Sequence, residues 1–136
     1  MGSTVFPAMR YRDPHKMIDW LCETFGFARK AVHDDGNGGV AHAELTLGEG
    51  MIMLGSARDD DFAKIQKPAT TDHLVTQCAY IVVPDADAVY ARAKANGAII
   101  VLEISDKDYG GREFTCRDPE GQVWSFGTYS PWMQRN

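Results

Sequence analysis

Asp13-Pro-His-Lys-Met-Ile-Asp-Trp-Leu-Cys-Glu-Thr-Phe-Gly26 and Asp85-Ala-Asp-Ala-Val-Tyr-Ala-Arg-Ala-Lys-Ala-Asn-Gly97 are two versions of one pattern. Each opens on an aspartate suited to cap a helix, and each closes on a glycine suited to end one. In the first, proline follows the cap, where its fixed φ and missing N–H cost nothing. Met17, Leu21 and Phe25 recur at helical spacing with Ile18 and Cys22 alongside, and Trp20 lies off the centre of that stripe. In the second stretch Ala86, Val89, Tyr90 and Ala93 keep the same periodicity. Each stretch therefore predicts an amphipathic helix that must lay its apolar stripe on a sheet.

Working outward, an extended run precedes each helix: Thr4 to Tyr11 and Cys78 to Val83. After Gly26 come short runs around Phe27 to His33, Val40 to Leu47 and Met51 to Leu54. The turn signals Asp35-Gly-Asn-Gly-Gly39 and Gly48-Glu-Gly50 separate them. Gly26 to Gly50 is 24 positions and so is Gly97 to Gly121, an offset of 71 between halves, while Asp13 and Asp85 differ by 72. The expectation is an α+β fold of two βαβββ modules, about 4–56 and 75–129, forming a cupped mixed sheet within a single domain spanning 1–136. The connection, 57–74, holds Asp59-Asp60-Asp61, few apolar residues and Pro68, and reads as a solvated loop.

Strand alternation assigns the faces. Ala41, Ala43, Leu45 and Leu47 should meet the helix side, leaving His42, Glu44 and Thr46 opposite. In the second half Phe114, Cys116, Trp124 and Phe126 fall on the helix side, with Glu113, Thr115 and Arg117 opposite. A sheet with such a second face is suited to enclose a ligand, open solvent being the alternative.

Composition narrows the partner. With 44% hydrophobic and 24% charged residues the chain is globular, and its net charge of -5 with dispersed Arg and Lys argues against nucleic acid and for a small molecule. The apolar runs Ala79 to Pro84 and Gly97 to Leu102 are far short of the ~18 residues a membrane span needs, and no signal pattern opens the chain, so a cytoplasmic protein is expected. Cys22, Cys78 and Cys116 are odd in number and sit in apolar segments, which reads as three buried free thiols.

The stretch Ser105-Asp-Lys-Asp-Tyr-Gly-Gly-Arg-Glu-Phe-Thr-Cys-Arg-Asp-Pro-Glu-Gly-Gln-Val-Trp-Ser-Phe-Gly-Thr-Tyr129 closely resembles the C-terminal part of glyoxalase/bleomycin-resistance/dioxygenase proteins, the vicinal oxygen chelate superfamily. The resemblance extends in order and spacing to Tyr11-Arg-Asp-Pro, Trp20-Leu, Phe25-Gly-Phe, His42-Ala-Glu-Leu and Met53-Leu-Gly. It implies a cupped sheet of two modules, commonly in a homodimer, with a cavity built from parts of two modules. Metal-dependent members carry His, Gln or Glu on the first and last strand of each module. Counting back seven residues from Asp13 and Asp85 puts the first-strand positions at Phe6 and Cys78. Counting forward from Gly121 gives Ser125, and the offset of 71 gives Leu54. These side chains do not make a hard-cation site, and among their neighbours only Gln77 offers a donor, so neither metal nor cofactor is expected. Gln122 stands where many relatives have His.

The candidate ligand-binding set is Phe6, His42, Glu44, Leu54, Cys78, Tyr80, Tyr109, Arg112, Glu113 and Ser125. His42 and Glu44 share a strand face and are the candidate acid/base pair, the alternative being a hydrogen-bonded cavity wall. Cys78 reads as a nucleophile or a buried thiol. Arg112, in a polar turn with Asp106, Asp108 and Tyr109, reads as a carboxylate or phosphate clamp or as a surface ion pair. Phe6 and Tyr80 could stack on a ligand, and 128–136, including Trp132, could cover a neighbouring subunit, the alternative being a disordered tail. The leading expectation is a metal-independent binding protein of the bleomycin-resistance type, sequestering an aromatic or antibiotic-like ligand in a homodimer cavity. The alternatives are a glyoxalase-like lyase or dioxygenase with a non-standard or absent metal site, or an interaction protein that has lost its cavity; whether the chain is an enzyme stays open.

Overall fold

The computed structural model describes residues 2–133, and the chain divides into two compact units, Met1–Thr70 and Thr71–Asn136. The division falls inside the expected connection. In the first unit the Asp13 carboxylate accepts the Lys16 N–H at 3.3 Å and opens helix α1 (Pro14–Phe25). Gly26, at φ +87, ends it in the left-handed region that glycine tolerates, its N–H bonding the Cys22 carbonyl at 3.2 Å. Met17, Ile18, Leu21 and Phe25 are buried together, as the stripe requires.

That stripe packs on β1 (Ala8–Tyr11), β2 (Ala28–Asp34), β3 (Val40–Leu47) and β4 (Gly50–Ser56), in spatial order β1-β4-β3-β2. β1 runs parallel to β4, which a hairpin cannot connect, so the chain crosses over through α1; the other pairs are antiparallel. The second unit repeats the plan. Its elements are β5 (Ala79–Val82), α2 (Ala86–Ala95), β6 (Ile99–Asp106), β7 (Arg112–Arg117) and β8 (Val123–Gly127), in order β5-β8-β7-β6. The repeat reaches a fine detail: β2 slips register on β3 between Arg29 and Ala31, and β6 slips on β7 between Ile100 and Leu102, the same positions under the offset of 71.

Two register features correct the sequence reading. His33 pairs with His42 but Asp34 pairs with Val40, so Ala41 is a bulge. Val40 therefore takes the place expected for Ala41 and is fully buried beside Ala43 and Leu45. The β3–β4 link also differs between halves. Leu47 pairs with Gly50 across Gly48-Glu49, whereas the Asp118 N–H bonds the Gln122 carbonyl across Pro119-Glu120-Gly121. The extra residue restores the offset to 72 in the last strand. Ser125, opposite Tyr80 and Thr115, thus corresponds to Met53, opposite Ala8 and Glu44. Leu54 pairs with Met9 and Ala43, is 3% exposed and borders a depression of the first sheet, so the residue that matches Ser125 is Met53, one position before it.

Asp118 is what makes the longer link stable. Its buried carboxylate accepts the Glu120 and Gln122 N–H groups at 3.0 and 3.1 Å and the Trp124 indole N–H at 3.0 Å. Trp124 and Phe126 are fully buried with Phe114 and Cys116, as alternation predicts.

The connection is more than a solvated loop. The Asp60 carboxylate accepts from Arg10 at 2.7 Å and Arg58 at 3.1 Å, and it caps a 3-10 turn (Asp61–Lys64) through the Ala63 N–H at 3.1 Å. Phe62 lies 5.7 Å from the Arg10 guanidinium, and the Gln66 amide donates to the Ala8 carbonyl at 2.8 Å. Residues 58–66 are thereby strapped to β1.

Candidate functional site

Each sheet has a face turned away from its helix, and alternation places Ala8, Arg10, His42, Glu44 and Met53 on the first and Tyr80, Glu113, Thr115, Ser125 and Gly127 on the second. On the second face an open depression of about 390 Å³ is lined by Tyr80, Tyr109, Glu113, Tyr129 and Pro131. Tyr80 projects from β5 beside Gly127, where any Cβ would collide with the tyrosine hydroxyl and ring. Its hydroxyl donates to the Tyr129 carbonyl at 2.7 Å and ties down the segment after β8. Tyr109, in the β6–β7 loop, meets Tyr129 edge to face at 5.3 Å and donates its hydroxyl to the Glu113 carboxylate.

These bonds set the electrostatics. The Glu113 hydrogen bond, then desolvation, push the Tyr109 hydroxyl up to about 12. Desolvation, then the Glu113 charge, raise Tyr80 as well. Beneath the rings the Thr115 and Ser125 hydroxyls satisfy one another at 2.7 Å.

The first face carries a smaller depression, about 170 Å³, bordered by Arg10, His42, Met53, Arg58, Phe62 and Gln66 among others. Its charges are paired. Arg10 holds Asp60 well below the ordinary carboxylate range, at about 2. The His42 Nε2 lies 2.9 Å from one Glu44 oxygen and the Lys30 Nζ 3.0 Å from the other, and together they lower the Glu44 pKa, His42 contributing most. His33 stacks on His42 at 6.3 Å.

Residues 4–126 match the model of the Glyoxalase/Bleomycin resistance protein/Dioxygenase superfamily. The chain belongs to this superfamily. Among solved structures, TioX from Micromonospora sp. ML1 is 29% identical, with 95% of this chain and 100% of that one covered at a TM-score of 0.73. The fosfomycin resistance protein FosX from Mesorhizobium loti, 12% identical, shares the fold with 96% and 95% covered and a TM-score of 0.66. An uncharacterized protein of Mycobacterium bovis is 28% identical over 138 residues, 93% of this chain and 86% of the relative.

The metal-dependent members of the superfamily hold a divalent ion, and the residues at the corresponding positions here do not fit one. With register taken from strand pairing, those positions are Phe6, Met53, Cys78 and Ser125. Phenylalanine has no donor atom, a thioether is a poor ligand for hard cations, and the Ser125 hydroxyl is engaged by Thr115. Among the described residues no cluster of three or more His, Cys, Asp or Glu is placed to hold a metal.

Of the ten sequence candidates, Tyr80, Tyr109 and Glu113 come together in the larger depression and Ser125 lies in the strand floor beneath. His42 and Glu44 belong to the other unit. Phe6 and Cys78 precede β1 and β5 and line neither depression. Arg112 is diverted: both Asp87 oxygens take it at 2.9 and 3.0 Å and Asp106 at 3.1 Å, the ion-pair alternative of its sequence reading. The expectation of three buried thiols holds only for Cys116, whose pKa desolvation pushes to about 12; Cys22 is half-buried and Cys78 exposed.

Tyr129 and Pro131 were missed as lining residues, because 128–136 read as a segment for covering a neighbour; 134–136 lie outside the described residues. The usable signal was Gly110-Gly111. Gly111, at φ +82, has no room for a Cβ beside Thr128 and Tyr129, and the adjoining Arg112 N–H bonds the Thr128 hydroxyl at 3.0 Å. That close approach folds the segment onto the sheet.

Proposed function

We propose that this protein binds a flat aromatic or antibiotic-like small molecule without a metal ion, sequestering it at the tyrosine face of the second unit within a cytoplasmic homodimer. The observation that carries this reading is the depression lined by Tyr80, Tyr109 and Tyr129, the first two held by hydroxyl hydrogen bonds and the third by edge-to-face contact with Tyr109. Such rings give an aromatic ligand apolar contact and offset or edge-to-face geometry at little ordering cost. The side chains at the superfamily's ligand positions support the metal-free part. The openness of the depression, with Ile99, Val101 and Leu102 exposed on β6 of the same unit, is the motive for a second copy covering it.

Thermal denaturation of chelator-treated protein against a panel of aromatic antibiotics and small dicarbonyls tests the reading. A ligand at 100 times its Kd should add about 2.7 kcal/mol of apparent stability, and light scattering should return a dimer mass. Stoichiometric Ni, Zn, Fe or Mn in protein purified without chelator, lost on Glu44→Ala, would overturn it.

The second reading is a glyoxalase-like lyase or dioxygenase, favoured by the 2.9 Å contact between His42 and Glu44. There the imidazole would move a proton at Nδ1, with the Glu44 carboxylate orienting the ring through Nε2. Turnover of a dicarbonyl or catechol that His42→Gln abolishes would establish this reading in place of the first.

A further inference from the structure

The charge around the tyrosine rings is one-sided. Glu113 is half-buried, and the single partner that its carboxylate has among the described residues is the neutral Tyr109 hydroxyl. The other sheet-face carboxylate, Glu44, is held by Lys30 and His42, and the guanidinium nearest to Glu113 in sequence, Arg112, is spent on Asp87 and Asp106. A carboxylate offers about four acceptor positions, so among the described residues most of the Glu113 capacity is unused.

The rest of the lining points the same way. Among the described residues no Lys, Arg or His borders the depression. The Tyr80 and Tyr109 hydroxyl hydrogens are committed to the Tyr129 carbonyl and to Glu113, and Pro131 has no N–H. Among the described lining residues an anionic group would meet a carboxylate and no cation. Tyrosine faces carry a negative quadrupole that attracts cations, and the net charge of -5 adds a long-range field of the same sign preference.

We infer that the ligand of this depression is an aromatic amine carrying a permanent or protonated positive charge, with its rings against the tyrosines and its cationic nitrogen against the Glu113 carboxylate. This inference rests on the aromatic-binding reading above and adds the charge class of the ligand. Glu113 is then the specificity-determining residue, discriminating by charge among molecules of one shape.

The test is a fluorescence titration of the full chain with three tricyclic probes of like shape: N-methylacridinium, neutral N-methylacridone and anionic acridine-9-carboxylate. The cation should bind roughly tenfold more tightly than the neutral probe, and the anion should bind least. Glu113→Gln should bring the cation down to the neutral probe's affinity, and added salt should weaken the cation alone. Tyr109→Leu should weaken both. Should Glu113→Gln fail to fold, probe ranking and salt dependence in the unaltered protein still decide the matter. If cation and neutral probe bind equally and Glu113→Gln changes neither, the charge inference falls and aromatic binding stands. If no probe binds saturably, both fall.

Discussion

On the first sheet the face away from α1 is closed by its own chain: Arg10 is locked to Asp60, His42 and Lys30 to Glu44, and residues 58–66 are strapped to β1. On the second sheet the same face of the same strand order carries three tyrosine rings and a carboxylate without a cationic partner among the described residues. The duplicated backbone settles where side chains emerge. Which face is consumed internally and which stays available is settled by a handful of substitutions at matching positions, Tyr80 for Ala8 and Ser125 for Met53 among them.

The largest expected effect lies in the link where the halves differ in length. Asp118→Ala removes three hydrogen bonds to a fully buried carboxylate and should cost about 3 kcal/mol in chemical denaturation. Asp118→Asn, which keeps the acceptor for the two backbone N–H groups, should recover part of that. A loss below about 1 kcal/mol for the alanine variant would mean that the longer link does not depend on this brace.

A smaller effect distinguishes a pair of glycines at the same repeat position. A Cβ at Gly55 would meet the Ala41 backbone carbonyl at 2.9 Å, whereas one at Gly127 would meet the far end of the Tyr80 ring. Backbone cannot give way and a side chain can. Gly55→Ala should therefore cost about 2 kcal/mol with the tyrosine face intact, and Gly127→Ala about 1 kcal/mol with Tyr80 displaced and ligand affinity lost. Equal stability losses, or unchanged binding in Gly127→Ala, would erase the distinction.

The smallest effect is acid release of the strap. Asp60 titrates lower in the folded chain, at about 2, than at its ordinary 3.8, so its pairing with Arg10 stabilises fully above about pH 4 and is lost as pH falls toward 2. Residues 58–66 should become cleavable by an acid protease across that window, and Asp60→Asn should be cleavable throughout. Tyr80 and Tyr109, both raised, do not titrate there.

Much of this was legible in the residues themselves. Asp13, Gly26, Asp85 and Gly97 marked the helices because capping and left-handed exits are local chemistry, and parity placed Phe114, Cys116, Trp124 and Phe126 correctly. The slip from Met53 to Leu54 arose because glycine counting equated Gly50 with Gly121, although Gly121 sits inside a turn held open by a buried aspartate. The Ala41 bulge left no residue signature, since alanine suits either face. Arg112 was ambiguous for another reason: its partner Asp87 is 25 residues away in the chain, and pairing at that separation follows only from the fold.

The central claim, that the ligand face belongs to the second unit, is tested most directly by one calorimetric comparison. An aromatic ligand found in the thermal screen is titrated into the unaltered chain, Tyr109→Leu and Arg10→Met. The account predicts affinity reduced about tenfold by Tyr109→Leu and unchanged by Arg10→Met. The reverse pattern, loss with Arg10→Met and none with Tyr109→Leu, would contradict it and move the site to the first sheet.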